Sequence, residues 1–383
     1  MSYDKKNFLT LIFSIFLSIF VLYFYLFTKT YLVDHAKNPN LFQSIKTLEF
    51  YKKYINTIHH LRETDGKWEI DNNPANYLFS TINEFSSDRK NILIQGDSWI
   101  AQLNEIDESY IAINKFAKKN NFGLINAGIA SYSPSLMQLQ YEVLEKDFNI
   151  KPSIVVAYID QTDIGDEICR YKNKRVYDKN NILVAVKKEN HSRAANDYTK
   201  IINISDIILH NKSKLKRTFK LTNFFISYGF FRAIEKFKSI KEYGWKNRDI
   251  SKCRFNQIMK YMIKSDINEI SYFENRLKDY INFLSGKKYI KNIILVSFPH
   301  KGHIFGYRNL ENENSYYTFN VSDVIENLIK NNEKIYHLNF SQLVFDREIN
   351  LKKDFFKEHD PASHLKDKYH FNIFAKKIIN LLE

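Results

Sequence analysis

From residue 91 onward, short apolar runs alternate with stretches of helical spacing, and that alternation leaves few folds open. Asn91–Gln95 (NILIQ), Phe122–Asn126 (FGLIN), Ser153–Ile159 (SIVVAYI), Asn292–Ser297 (NIILVS) and Lys334–Asn339 (KIYHLN) have the length and composition of strands. Ser153–Ile159 is continuous and β-branched, which suits a strand covered on both faces. Ser135–Lys146 and Asn372–Leu382 carry helical periodicity. Strands separated by helices imply right-handed crossovers and a mostly parallel sheet. The expected fold is α/β and doubly wound, with five parallel strands and its chemistry at their carboxyl ends.

The start of the chain obeys a different rule. Phe8–Phe27 (FLTLIFSIFLSIFVLYFYLF) is twenty residues without a charge, following a short head at 1–7. As a helix it spans about 30 Å, the thickness of a bilayer's hydrocarbon core. Tyr23, Tyr25 and Lys29 stand where interfacial anchors belong. A cleaved signal peptide is the competing reading, but its apolar core is about 7–15 residues and ends in small residues. Thr28, Lys29, Thr30 and Tyr31 do not fit that ending. The expectation is an uncleaved single-pass anchor with the remaining chain exported, an orientation that rests on architecture because Lys5 and Lys6 nearly balance Lys29 and Lys37. Residues 28–90 read as a stalk with edge helices, and His59–His60 within it as surface.

Charge excludes less than it suggests. The formal net charge of +14 invites a nucleic-acid partner, yet no zinc-ligand spacing or RNA-recognition signature accompanies it, and Lys-rich codon usage is the simpler cause. Between the third and fourth strands lies an insertion, about 170–265, expected to be helical. Within it, residues 212–254 hold 13 Lys/Arg against 3 Asp/Glu, around an aromatic run, Leu221–Phe231. A contact with an anionic surface is one reading, a solvated helical face the other. Cys169 and Cys253 pair only if the domain sits in an oxidising compartment; two buried thiols are the alternative.

The strand ends carry the chemistry. The first strand runs into Gly96-Asp97-Ser98, which places a hydroxyl at a sharp strand-to-helix turn where a nucleophile belongs and turns its own N–H toward a developing oxyanion. The second ends at Gly128, a second backbone oxyanion donor. The last loop carries Asp367-Lys-Tyr-His370, whose spacing lets a carboxylate fix an imidazole tautomer while the other nitrogen faces Ser98. Asp360 and His364 form a competing pair. His300 and His303 follow the fourth strand on the same rim as candidate substrate contacts; metal binding there lacks a third ligand.

Together Gly96-Asp97-Ser98, the Asn126–Gly128 turn and Asp367-x-x-His370-x-Asn372 resemble blocks I, II and V of the SGNH/GDSL hydrolase family, over residues 91–383 without the insertion. The resemblance implies a flavodoxin-like three-layer α/β/α sandwich in which Ser98 is the nucleophile, His370 the acid and base, and Asp367 its orienter. It implies acyl-ester substrates, often O-acetyl groups on glycans, with no cofactor and no metal. The departure is in block III, where the family has Gly-x-Asn-Asp and this chain has Asp160-Gln161-Thr162-Asp163. Thr162 therefore stands where an amide oxyanion donor is expected, with Gln161 and Asp163 as neighbouring substrate contacts. A glycan-binding protein that has lost turnover is the alternative that this departure raises.

Overall fold

A computed structural model of the chain describes residues 2–32, 81–83, 90–101, 108–186, 193–243, 255–298, 320–330, 332–339 and 369–383, with positions 45, 48–49, 52–53, 253 and 342 between them. In chain order the elements are α1 (Ser2–Leu32), β1 (Thr81–Asn83), β2 (Lys90–Gln95), α2 (Ser98–Ala101), α3 (Glu108–Lys119), β3 (Phe122–Asn126), α4 (Pro134–Phe148) and β4 (Ile154–Asp160). A turn at Asp163–Gly165 and a π-helical turn at Asp166–Tyr171 lead to β5 (Arg175–Tyr177), β6 (Leu183–Val186), α5 (Arg193–His210) and α6 (Lys214–Tyr243). Then come α7 (Phe255–Ile263), α8 (Ile267–Ser285), β7 (Asn292–Phe298), α9 (Val321–Ile329), β8 (Ile335–Asn339) and α10 (Tyr369–Leu382).

The chain divides into two compact units. One comprises Met1–Lys52, Glu63–Asp71 and Asn190–Lys252; the other comprises Lys53–Arg62, Asn72–Glu189 and Cys253–Glu383. The second holds the sheet, in the order β1-β3-β2-β4-β7-β8. The five expected strands are all present and all parallel. Numbered among themselves they run 2-1-3-4-5, the flavodoxin-like order, whose switch point lies between β2 and β4. Two features were not foreseen. β1 adds an antiparallel edge against β3, and β5–β6 form a hairpin inside the insertion. The hairpin turn is set by Asp178, whose Oδ1 accepts from the Asn180 and Ile182 N–H groups, and by Asn181 at φ 61°.

The layering follows from alternation along the strands. Every residue of β4 is buried, and each apolar side chain so covered contributes about 1.5–3 kcal/mol. Ile92, Ile94, Val156, Ile294 and Val296 form one core with Ile113 and Phe116 of α3 and Ala375 and Ile378 of α10. Side chains one residue out of phase meet the other layer: Gln95 donates to the Met137 carbonyl (2.9 Å) and Gln140 Oε1 (2.7 Å) of α4, and accepts from Tyr280 Oη (2.8 Å) of α8. The sheet unit is thus a three-layer α/β/α sandwich.

In the other unit α1 is helical over the whole charge-free run and packs against α6, which also packs on α5 through Ile204 and Leu221. Asn7–Leu32 is long and apolar enough to cross a bilayer.

Cys169 and Cys253 are joined by a disulfide, with 5.5 Å between their Cα atoms. This resolves the two readings left open by the sequence, and it clips together the two ends of the insertion. Titration of the unreduced, denatured protein should therefore find no free thiol, and reduction should expose two. A loop of this length supplies about 4–5 kcal/mol in the chain-entropy model, so reduction should lower the melting temperature of the sheet unit clearly. A thiol signal before reduction would show that the pair is open.

Candidate active site

β2 delivers the chain to the switch point, and two glycines let it turn there. A Cβ on Gly96 would lie 2.8 Å from Ile100 Cγ1 and 3.0 Å from Tyr158 Cβ, so no larger residue fits between strand and helix. Ser98 follows as the first residue of α2, half-buried, with Trp99 and Ile100 buried behind it. The Trp99 ring packs 4.2 Å from that of Phe298 at the end of β7, fixing the short helix to the core. The loop after β3 presses on the same helix. A Cβ on Gly128 would come within 2.6 Å of Ala101 N and of Ile100 C, both backbone atoms.

Asn126 joins these segments. Its Nδ2 donates to the Ile100 carbonyl (3.1 Å) and its Oδ1 accepts from the Gly128 N–H (3.0 Å). The sequence offered Asn126 only as part of a turn; its bridging role depends on a partner 26 residues away, which no local pattern reveals.

Asp97, beside Ser98, belongs to a group of buried carboxyls. Asp97, Asp160, Asp163, Asp166 and Glu167 are each at most 5% exposed. Ser98 Oγ donates to Asp97 Oδ2 (3.1 Å), and Asp97 Oδ1 accepts from the Trp99 N–H (2.8 Å). Burial, and then the neighbouring Asp160, push the Asp97 carboxyl well above its ordinary range. Asp163 is driven up by burial and by Asp160, Asp97 and Asp166. Burial carries Asp166 to about 7 even with Arg170 beside it. Glu167 is raised by burial too, although it accepts from Ser133 Oγ, Ser135 N and Ser135 Oγ and pairs with Arg175 in the interior.

The block III residues are buried and already engaged. The Thr162 hydroxyl donates to Asp160 Oδ1 (2.7 Å), so its one proton serves that carboxylate in this arrangement. Gln161 donates to the Met262 carbonyl (3.4 Å) and accepts from the Val321 N–H (3.1 Å), tying α7 and the start of α9 to the end of β4. Asp163 Oδ2 accepts from the Asp160 N–H (3.2 Å). Of the other expected residues, α10 begins at Tyr369, so the backbone of His370 lies in its first turn and not ahead of it. Asp367, His300, His303, Asp360, His364 and the His59–His60 pair lie outside the described residues.

Two other polar groupings stand apart from Ser98. Three strands along the sheet, His337 Nε2 meets Ser297 Oγ (2.8 Å), and burial lowers the imidazole to about 4. It lines a hollow of about 560 Å³ with Glu326, Lys330 and Asn339. In the other unit Glu49, Asp206 and His210 lie close enough to hold one cation. The Lys52 ammonium already meets both carboxylates, at 3.2 and 2.5 Å, which makes this an ion-pair cluster.

Comparison with known proteins adds little to this geometry. No family model and no curated protein matches the sequence. Among solved structures it is similar to an acetylxylan esterase from Geobacillus stearothermophilus, at 11% identity and a TM-score of 0.36, covering 78% of this chain and 95% of the other. That similarity is too slight to assign an activity.

Two outcomes follow from the packing and charge of the site. Gly128→Ala should force α2 away from the β3 loop and destabilise the sheet unit by about 1–3 kcal/mol, read as a lower denaturant midpoint. Asp163→Asn keeps an acceptor for the Asp160 N–H and removes a proton that titrates. Because the folded Asp163 carboxyl sits above its unfolded value, native stability is greatest below the unfolded value and falls as pH rises toward the folded one. The Asn variant should therefore melt higher than the parent at pH 8 and show a flatter profile down to pH 4. Parallel profiles for the two proteins would remove Asp163 from the titrating group.

Proposed function

We propose that this protein is a membrane-anchored serine esterase or O-acyltransferase acting on acyl esters, chiefly acetyl esters, of a cell-envelope glycan. One observation carries the reading: Ser98 opens α2 at the switch point of a 2-1-3-4-5 parallel sheet, where a glycine-lined loop closes against it. Residues at such crevices meet ligands.

In this mechanism the Ser98 hydroxyl leaves Asp97 and gives its proton to His370 as its oxygen attacks the acyl carbonyl. Asp367 holds the imidazole and stabilises the imidazolium. The N–H groups of Ser98 and Gly128 receive the oxyanion, Gly128 sharing the bond it now gives Asn126. Collapse expels the sugar alkoxide, which takes the proton from His370 and leaves an acyl-enzyme. Water or another sugar hydroxyl, deprotonated by His370, then resolves that ester. Thr162 contributes only if its proton turns from Asp160. The charge-free helix α1 and the Cys169–Cys253 bond support an exported, anchored protein, since disulfides persist in oxidising compartments.

One observation favours the second reading, a glycan-binding protein without turnover. The Ser98 hydroxyl, the Gly128 N–H and the Thr162 hydroxyl all donate to groups within the protein. A fluorophosphonate probe separates the two readings. Labelling of the parent and not of Ser98→Ala supports the enzyme; no labelling of either supports the binder. For the enzyme, Ser98→Ala and His370→Ala should each cost at least about 10⁴-fold in kcat, with the double variant no worse, because the residues act as a unit. Asp367→Asn should cost about 10⁴-fold. Loss in Asp360→Ala with Asp367→Ala unaffected moves the orienting role to the other pair.

A further inference from the structure

The loop that follows β3 carries Gly128, and it turns through an unfavourable conformation. Ser131 has φ 64°, a left-handed geometry that a residue with a Cβ keeps only where its surroundings hold it. The strain falls just beyond Gly128, on a loop whose Ile129 N–H donates to the Gly96 carbonyl (3.1 Å) and whose Tyr132 N–H donates to the Ile129 carbonyl (3.0 Å). From the Gly96 bond to the start of α4, the path of the main chain depends on what restrains Ser131.

Tyr171 supplies that restraint. Its Oη donates to the Ser131 carbonyl (2.5 Å) from a side chain that is wholly buried. Burial, and then Asp166 beside it, push the phenol well above its ordinary value, so the donor keeps its proton near neutral pH. Tyr171 ends the π-helical turn Asp166–Tyr171, a rare form that often marks functional sites. A brace must be stiffer than the loop it holds, and this turn is tied down at several points. Cys169 is bonded to Cys253. Gly165, just ahead of the turn, lies so close to α7 that a Cβ there would come 2.5 Å from the Ile258 carbonyl oxygen. Glu167 pairs with Arg175 and accepts from Ser133 Oγ (2.7 Å), Ser135 N (2.7 Å) and Ser135 Oγ (2.9 Å), which fixes the far end of the same loop. The near end is fixed by Gln140, whose Nε2 donates to the Ala127 carbonyl (2.8 Å), and by Asn126 on the Gly128 N–H. Tyr171 thus acts between two held ends, where the main chain is strained.

We infer that Tyr171 is a positioning residue for the oxyanion site: its hydroxyl keeps Ser131 in the left-handed conformation, and that conformation sets where the Gly128 N–H stands relative to Ser98. This rests on the reading of Ser98 as nucleophile and Gly128 as oxyanion donor. The phenol touches no reacting atom, so its loss displaces a donor without removing one. A displaced oxyanion donor weakens a bond that forms fully only in the transition state. The rate then falls while KM stays where it is.

The test uses the full-length protein in detergent with p-nitrophenyl acetate, and a fluorophosphonate probe carried to completion counts competent sites. Tyr171→Phe keeps the ring and removes the hydroxyl. It should lower kcat per labelled site about ten-fold, against the roughly 10²–10³ of an outright loss of a donor, with KM unchanged. Hydrogen exchange in the peptide spanning 127–133 should quicken in the same variant. Adding Ser131→Gly should restore most of the rate, because glycine takes φ > 0 without strain and no longer needs the bond. Ser131→Val, with the phenol in place, should lower kcat per site as well, since a β-branched residue resists that φ. The control is Tyr141→Phe, which removes a hydroxyl that meets Tyr289 Oη (3.2 Å) ahead of β7, at the amino end of the strands. It should leave kcat per site as it is. The proposal is overturned by an unchanged kcat per site in Tyr171→Phe, by a loss confined to KM, by an equal loss in the control, or by a double variant no faster than Tyr171→Phe. A parent that does not label refutes Ser98 as nucleophile, and the proposal falls with it; a parent that labels beside an unaffected Tyr171→Phe refutes the positioning role alone.

Discussion

The approach of the β3 loop to α2 governs the rest of the crest. With backbone atoms of Ile100 and Ala101 where a Cβ on Gly128 would be, loop and helix are in direct main-chain contact, and Asn126 closes that contact with two hydrogen bonds. Because Asp97, Ser98 and the Gly128 N–H then occupy fixed places, the hydroxyl has a defined neighbour in whichever state it adopts. Interiors transmit such displacements because they are packed as densely as crystals. A shift of the loop is therefore a shift of Ser98.

The second constraint is electrostatic. Several carboxyls are buried near the switch point, and among the described residues Asp166 pairs with Arg170 and Glu167 with Arg175. Burial together with neighbouring carboxyls disfavours their ionised forms and raises Asp97, Asp163 and Asp166 above their ordinary range. Asp97 belongs to this group and also accepts from Ser98. The buried carboxyls and the orientation of the Ser98 hydroxyl are thus linked through one side chain.

The parallel strands were legible because their apolar runs are short, β-branched and bounded by polar turns; β4 is the clearest case, since burial on both faces leaves no alternation to misread. β1 was not, since Thr81–Asn83 is three residues long and owes its strand character to β3 rather than to its own side chains. The β5–β6 hairpin was hidden in a lysine-rich stretch that read as helical, although Asp178 and Asn181 carried the turn signal. At the site, Gly96, Ser98 and Gly128 were visible because steric need at a turn writes itself into neighbouring residues. The engagement of Thr162 by Asp160 was not, nor was the Glu167–Arg175 pair. Those depend on which rotamer a buried donor adopts, and spacing carries no record of it.

The Cys169–Cys253 bond closes a covalent ring spanning 84 positions, and that ring contains the hairpin, α5 and α6. A single cut anywhere inside it opens the ring without dividing the molecule. A protease that nicks the chain within the ring therefore leaves β2–β4 covalently joined to β7 and β8 until a reductant arrives. The integrity of the sheet unit after such a cut then depends on redox state rather than on an unbroken main chain.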